Sequence, residues 1–182
     1  MAAYFIMCTP AGTPSPGSNP PVLLRPERPG DEAFLFAVYA STRAEELSLT
    51  NWTEDLRRAF LNQQFNAMRQ GYRSQFPTGE FLVIEAAGIP IGRMVIDRTA
   101  AEIRVVDLAL LPAHRNQGIG TRLLRQICAE ADRPVHLSVL KFNRAAHWYE
   151  RLGFTKISEQ GLYNELEWQP VDRRAVRGAI FK

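Results

Sequence analysis

The chain has 182 residues, of which 46% are hydrophobic, 10% aromatic and 23% charged, so it can bury the core of one globular domain. Its net charge of +3 is spread along the chain, a weak pull on anionic ligands without the basic arm of a nucleic-acid binder. Cys8 and Cys128 are the two cysteines, which excludes a disulfide framework and a CxxC metal site, and no apolar run reaches the length of a membrane span.

Residues 1–21 read as a flexible leader, because Pro, Gly, Ser and Thr dominate residues 9–21. The start lacks the basic region and long apolar core of a secretory signal, and with this cysteine usage a cytoplasmic location is expected. VLLRPERPGD then predicts a first strand and a turn, with Asp31 as N-cap of a helix carrying Phe34, Ala37, Val38 and Ser41 on one side. A longer helix follows. Asn51 and Glu54 resemble a capping pair, and Leu56, Phe60, Leu61, Phe65, Met68 and Tyr72 recur at helical spacing, which predicts core packing for the aromatics.

FLVIEAAGIPIGRMVID and EIRVVDLALL predict a meander of three strands. The last runs through Pro112 into HRNQGIG and the amphipathic TRLLRQICAEA, a strand, a glycine turn and a helix start. Two glycines let successive backbone N–H groups point into one concavity, and the helix adds unpaired donors and the positive end of its dipole, so a phosphate is the natural guest. VHLSVL is another strand, Asn143 caps a short helix that ends at Gly153, and FTKISEQ and LYNELEW predict a closing hairpin around Gly161. The order predicts one α/β (α+β) domain over residues 22–169 with a central mixed, mostly antiparallel twisted sheet, followed by a loose basic tail over residues 170–182.

Two motifs in this order resemble the GNAT acyltransferase superfamily. The first is Arg115-Asn116-Gln117-Gly118-Ile119-Gly120 after LALLP, and the second is NRAAHWYERLGF, with Asn143, Tyr149, Gly153 and Phe154. No GKS/T follows the first motif and residue 123 is Leu, so it reads as neither a P-loop nor a dinucleotide fingerprint. The resemblance implies a single-domain GNAT-like fold whose sheet splays between the strands ending at Leu110 and Leu140. It implies that acetyl-CoA, the acyl donor, binds there through the main chain of Leu108, Ala109 and Leu110, with its pyrophosphate on the amides of Asn116, Gln117, Gly118, Ile119, Gly120 and Thr121. Arg115 would orient the loop or lie near phosphate, and Asn143 has a plain capping role or a cofactor contact. A backbone N–H at Leu110 would polarise the thioester carbonyl.

The implied activity is acyl-CoA-dependent N-acyltransfer, most simply of acetyl to a primary amine by direct attack, since neither cysteine is placed as an acyl carrier. Tyr149 is the implied general acid, against a plain core aromatic as the structural alternative. For the base, Asp107 is the first candidate, with Glu102, Glu80 and Asp97 behind it; the positions on the splayed strands where family members often carry Glu hold Arg104 and Ser138. That missing carboxylate keeps open a non-catalytic CoA-binding sensor or scaffold module. The acceptor, a small molecule or a protein amine, is not legible, although Phe60, Phe65, Tyr72 and Phe76 offer aromatic walls and Glu45, Glu46, Glu80 and Asp97 offer charge for a cationic amine. His114, His136 and His147 lack metal-ligand spacing, so no metal is expected; nor is a nucleic-acid or membrane partner, while a homodimer stays open.

Overall fold

The computed structural model describes residues 21–142 and 146–170. Its strands are β1 (Val22–Pro26), β2 (Glu80–Ala86), β3 (Ile89–Arg98), β4 (Ile103–Leu110), β5 (Val135–Leu140), β6 (Thr155–Gln160) and β7 (Tyr163–Trp168). The helices are α1 (Glu32–Ser48), α2 (Glu54–Gln75), α3 (Ile119–Glu130) and α4 (Ala146–Arg151). The strands form one sheet in the order β1-β2-β3-β4-β5-β7-β6. Every ladder is antiparallel except β4 with β5, which is parallel. The mixed sheet and its helices match the expected architecture. Apart from residues 21 and 170 at their inner ends, the expected leader and tail lie outside the described residues.

Local chemistry explains the joints. Ala87 and Gly88 both have positive φ, 51° and 77°, the backbone that a two-residue hairpin needs to follow the twist of its strands, and they join β2 directly to β3. Gly92 on β3 faces Leu110 on β4, where a Cβ would collide with the Ala109 carbonyl oxygen and the Leu110 side chain. Only glycine lets these two strands approach there. On β4 one extra residue, Val106, sits between the pairs Val95↔Asp107 and Ile96↔Val105. This bulge turns Val106 and Asp107 to the same face, Val106 packing with Tyr72, Phe76 and Val95 and Asp107 meeting Arg93.

The larger core lies between the sheet and α3. Leu123, Leu124, Ile127 and Cys128 of α3 pack on Ile96, Val105, Leu108, Leu137 and Val139, joined by Tyr149 and Phe154. Fully buried residues such as Leu124 each contribute about 1.5–3 kcal/mol by leaving water. The opposite face carries α1 and α2 over two smaller clusters, one around Leu35, Tyr39, Phe65 and Val83 and one around Tyr72, Phe76, Val95 and Val106.

Both of the first two helices depart from expectation at their starts. Asp31 precedes α1 but makes no side-chain cap bond; its carboxylate instead takes Nη1 and Nη2 of Arg25 at 2.7 and 2.8 Å and the Arg28 N–H at 2.7 Å. A bidentate guanidinium outcompetes a single helix amide. In α2 the cap is Thr53, whose hydroxyl accepts from the Leu56 N–H at 3.3 Å, so Asn51 stands outside the helix. The buried side of α1 is Leu35, Val38 and Tyr39, one step round from the predicted one, and Ala37 is exposed.

Candidate active site at the strand fork

Three register pairs hold β4 to β5, namely Ile103↔Val135, Arg104↔His136 and Val105↔Leu137. Beyond them both strands continue, to Leu110 and Leu140, without pairing to each other. Apart from the Leu110 carbonyl, which Arg115 takes, and the Ala109 carbonyl, which faces Gly92 on β3, the main chain of residues 106–110 and 138–140 that faces the gap can pair with an extended diamide, as a strand would. Leu108, Ala109 and Leu110 have buried side chains, so main chain is what they offer to the fork.

The loop from β4 to α3 opens on the same fork. Asn116 and Gly118 both adopt left-handed backbone, φ 61° and 74°. The first ladder bond of α3 runs from the Arg122 N–H to the Gly118 carbonyl, so the amides of Ile119, Gly120 and Thr121 precede the helix ladder. Alternating turns of this kind gather N–H groups into a nest suited to an anion. A Cβ at Gly120 would meet Trp148 and Leu108 at 3.5 and 3.6 Å, ordinary contact distances, so the protein's own packing does not demand glycine there.

Arg115 braces the loop. Its Nε donates to the Leu110 carbonyl at 2.9 Å, and its Nη2 donates to the Ser41 carbonyl and hydroxyl at 3.2 and 2.9 Å, tying loop, β4 and α1 together. Gln117 donates from Nε2 to the Ala113 carbonyl at 2.6 Å. Both side chains spend donors on shape, which leaves the backbone of the loop to face a ligand.

Tyr149 is 1% exposed and packs between Trp148, tilted by 50°, and Phe154, met edge-on, with ring centroids 4.6 and 6.0 Å away. Trp148 donates from Nε1 to the Thr121 hydroxyl at 2.9 Å, so α4 is bound to the first turn of α3. The helix ends as a Schellman motif: Phe154 N–H bonds to Tyr149 O, Gly153 N–H to Glu150 O, and Gly153 takes φ 90°. Asn143, expected to open this helix, lies outside the described residues.

Asp107 is 1% exposed and accepts from Arg93 Nε at 2.7 Å, while Arg93 also reaches Met68 Sδ at 3.4 Å and lies over the Tyr39 ring. Burial pushes its carboxyl above the usual range, opposed by Arg93. Among the described residues Asp107 Oδ1 and Arg93 Nη1 have no hydrogen-bond partner, and the cavity of about 20 Å³ that both residues line has room for one water. Among the other base candidates, Asp97 accepts from Thr78 at 2.8 Å and Glu80 pairs with Arg98 at 2.9 Å. Phe65, Tyr72 and Phe76 are buried in the core and offer no open aromatic wall.

The sequence reading missed a carboxylate. Arg104 donates from Nε to Glu102 at 2.9 Å and from Nη1 to Glu165 Oε2 at 3.0 Å; Ser138 donates from its hydroxyl to Glu165 Oε1. Glu165 is 8% exposed. His136 stands between Glu102 and Glu167, at 3.6 and 3.1 Å. The one signal in the sequence is that Arg104 and Ser138 occupy positions where the resemblance leads one to look for Glu. Cys128 is buried in the α3 core and its thiol is pushed up to about 11, which makes it a poor nucleophile. Among the described residues no group of three or more His, Cys, Asp or Glu is arranged to hold a metal, and no helix is long and apolar enough to cross a membrane.

Comparison with known proteins agrees with this architecture. Residues 77–156 match the model of the acetyltransferase (GNAT) domain. Among solved structures, the PaiA N-acetyltransferase of Thermoplasma acidophilum in complex with coenzyme A is similar at 18% identity and a TM-score of 0.60, covering 82% of this chain and 99% of that one. An acetyltransferase from Thermus thermophilus is similar at 17% identity and a TM-score of 0.61, over 81% of this chain and 96% of that one. Ard1 from Thermoplasma volcanium is similar at 18% identity and a TM-score of 0.54, over 83% and 99%. Identities this low speak for the shared fold, and the matched stretch, residues 77–156, is similar to the acetyltransferase (GNAT) domain.

Proposed function

We propose that this protein is an acyl-CoA-dependent N-acyltransferase that moves acetyl from acetyl-CoA to a primary amine by direct attack. The observation that carries the reading is the fork: two parallel strands that pair at three positions and then part, beside a loop with two left-handed residues at a helix start. A diamide arm fits the unpaired edges of Leu108, Ala109 and Leu110, and the pyrophosphate fits the amides of residues 116–121. Arg115 acts in this reading as the brace of the loop, and the resemblance gives Asn143 a contact with the donor.

In the chemistry, the amine lone pair attacks the thioester carbon, the C–S bond breaks, and Tyr149 protonates the departing sulfur. Its ring is held by Trp148 and Phe154, so a small displacement of the hydroxyl is resisted. Asp107 serves here as the anchor of Arg93, because its one bonded oxygen is committed and the pair is sealed under α1 and α2. Proton removal from the amine then falls to a group at the fork. A cytoplasmic setting is compatible with the free Cys128 thiol.

The test is acetyl-CoA binding by calorimetry together with thiol release in the presence of primary amines. Tyr149→Phe should keep its affinity for acetyl-CoA and lose about 10²-fold in kcat, the lower end of general-acid contributions, because the hydroxyl matters only as charge develops on sulfur. A wild-type protein that does not bind acetyl-CoA would end the reading. Binding without thiol release would instead favour a CoA-sensing module.

A further inference from the structure

We propose that Glu165 is the catalytic carboxylate that receives the acceptor amine and takes its proton, working from the face of the sheet opposite Tyr149. The proposal rests on the acyltransferase reading above.

Strand register brings Glu165 to the fork. The β4–β5 ladder stops at Val105↔Leu137, so Ser138 is the first β5 residue beside the gap, and its register partner on β7 is Glu165. Side chains alternate across a strand, and Leu166 packs in the α3-side core together with Tyr149. Glu165 therefore stands on the other face. The gap between β4 and β5 joins the two faces, with a phenol on one side and a carboxylate on the other. A thioester carbon lying in that gap is open to an amine on the Glu165 side while its sulfur leaves toward Tyr149.

The carboxylate is also fixed. Ser138 holds Oε1 and Arg104 holds Oε2, from the two strands that form the fork. Each carboxylate oxygen can accept more than one hydrogen bond, so both remain able to accept from an N–H. The charged and titratable groups around it are Glu102 and Arg104 on β4, His136 on β5 and Glu167 on β7, with Ser158 of β6 as its neutral register partner. Three carboxylates face one guanidinium and one imidazole, so an amine arriving as its ammonium meets a favourable field. Asp107 offers no comparable approach, since it is buried beneath α1 and α2 with Arg93 on one of its oxygens.

The protons balance. Glu165 takes one proton from the ammonium and gives it up to water, which frees the lone pair that forms the C–N bond. As the C–S bond breaks, the sulfur keeps the electron pair and receives the Tyr149 proton. The surplus proton on the new amide nitrogen returns to the Tyr149 oxygen. Arg104 and Ser138 are positioning residues, acting through Glu165.

The experiment uses the full chain, acetyl-CoA, and three probe amines: n-butylamine, phenethylamine and lysine amide, with thiol release followed from about pH 7 to 9.5, a range that approaches the amine pKa values. Glu165→Gln keeps shape and is expected to bind acetyl-CoA within about 3-fold of wild type while transfer at pH 7 falls by about 100-fold. The deficit should shrink as pH approaches the pKa of the amine, because free amine needs no base. Ser138→Ala should show the same pH-dependent deficit at about 10-fold, and no further loss when added to Glu165→Gln. If Glu165→Gln does not fold, the Ser138→Ala profile carries the test alone. A wild-type rate at pH 7 in the folded variants, a deficit that does not change with pH, or a wild-type protein that binds acetyl-CoA but acylates none of the probes overturns the assignment. Failure of the wild type to bind acetyl-CoA overturns the acyltransferase reading, and this assignment with it.

Discussion

The two faces of the sheet are built from different chemistry. Under α3 and α4 the face is one continuous apolar cluster, from Ile84 and Met94 on the strands to Leu124 and Tyr149 on the helices. Under α1 and α2 the apolar packing is broken into two small clusters separated by the buried ion pair of Arg93 and Asp107, and farther along the sheet the charged row Glu102, Arg104 and Glu165 lies beside the fork. The uniform face needs only volume and shape to hold. The mixed face needs each charge to find its partner, because an uncompensated buried charge costs more than a lost methyl group. The glycine loop and Tyr149 thus lie with the apolar face and the Glu165 carboxylate with the mixed one, and the fork is where the two meet.

The strongest way to break this division is at the mouth of the apolar side. Gly118→Asp or Gly120→Asp should abolish acetyl-CoA binding in a variant that still folds, with Tm a few degrees lower. Asp tolerates the left-handed backbone at 118 better than most side chains, and a Cβ at 120 meets only ordinary contacts. The expected failure is electrostatic, a carboxylate placed in the nest proposed for phosphate. Unchanged affinity by calorimetry in either folded variant would remove the loop from the binding site.

A second substitution sharpens the contrast between the faces. Arg93→Met strands the Asp107 carboxylate and should cost about 3–5 kcal/mol in urea denaturation, whereas the double variant Arg93→Met with Asp107→Leu should recover much of it. A single variant that loses under about 1 kcal/mol would show that water reaches the pair and that this face is less sealed than its 1% exposed Asp107 implies.

The smallest effect is at the edge strand β1, where Arg25 and Asp31 form a part-buried pair. The Arg25 guanidinium beside Asp31 lowers that carboxyl from the usual 3.8 to about 2. The folded-state value is depressed, so its stabilisation is complete above the unfolded value and is lost as pH falls from about 4 toward 2. Asp31→Asn should therefore lower Tm at pH 7 by a few degrees and flatten the acid limb of the Tm profile. A variant whose acid limb matches wild type would place acid sensitivity elsewhere, in the buried pairs of the α1 and α2 face.

Motif and period made the apolar side readable in advance. The α3 stripe of Leu123, Leu124, Ile127 and Cys128, the turn at Gly118, the stop at Gly153 and the hairpin at Gly161 all follow from rules that act within a few residues. The mixed face was not readable in that way. Arg93 on β3 and Asp107 on β4 are 14 positions apart, Arg104 and Glu165 are 61 apart, and nothing local says that either pair will meet. The cap of α1 failed for the same reason: Asp31 obeyed the local rule for a cap until Arg25, fixed on β1, offered a stronger partner.

By itself, then, the amino-acid order determined the elements, the left-handed turn before α3 and the family they resemble, because backbone preference and hydrophobic period are local quantities. Tertiary structure alone decided where β4 and β5 part, which residue a bulge turns inward, and which carboxylate stands at the fork. Those depend on strand register across the sheet, where Ser138 finds Glu165 only because β7 inserts between β5 and β6.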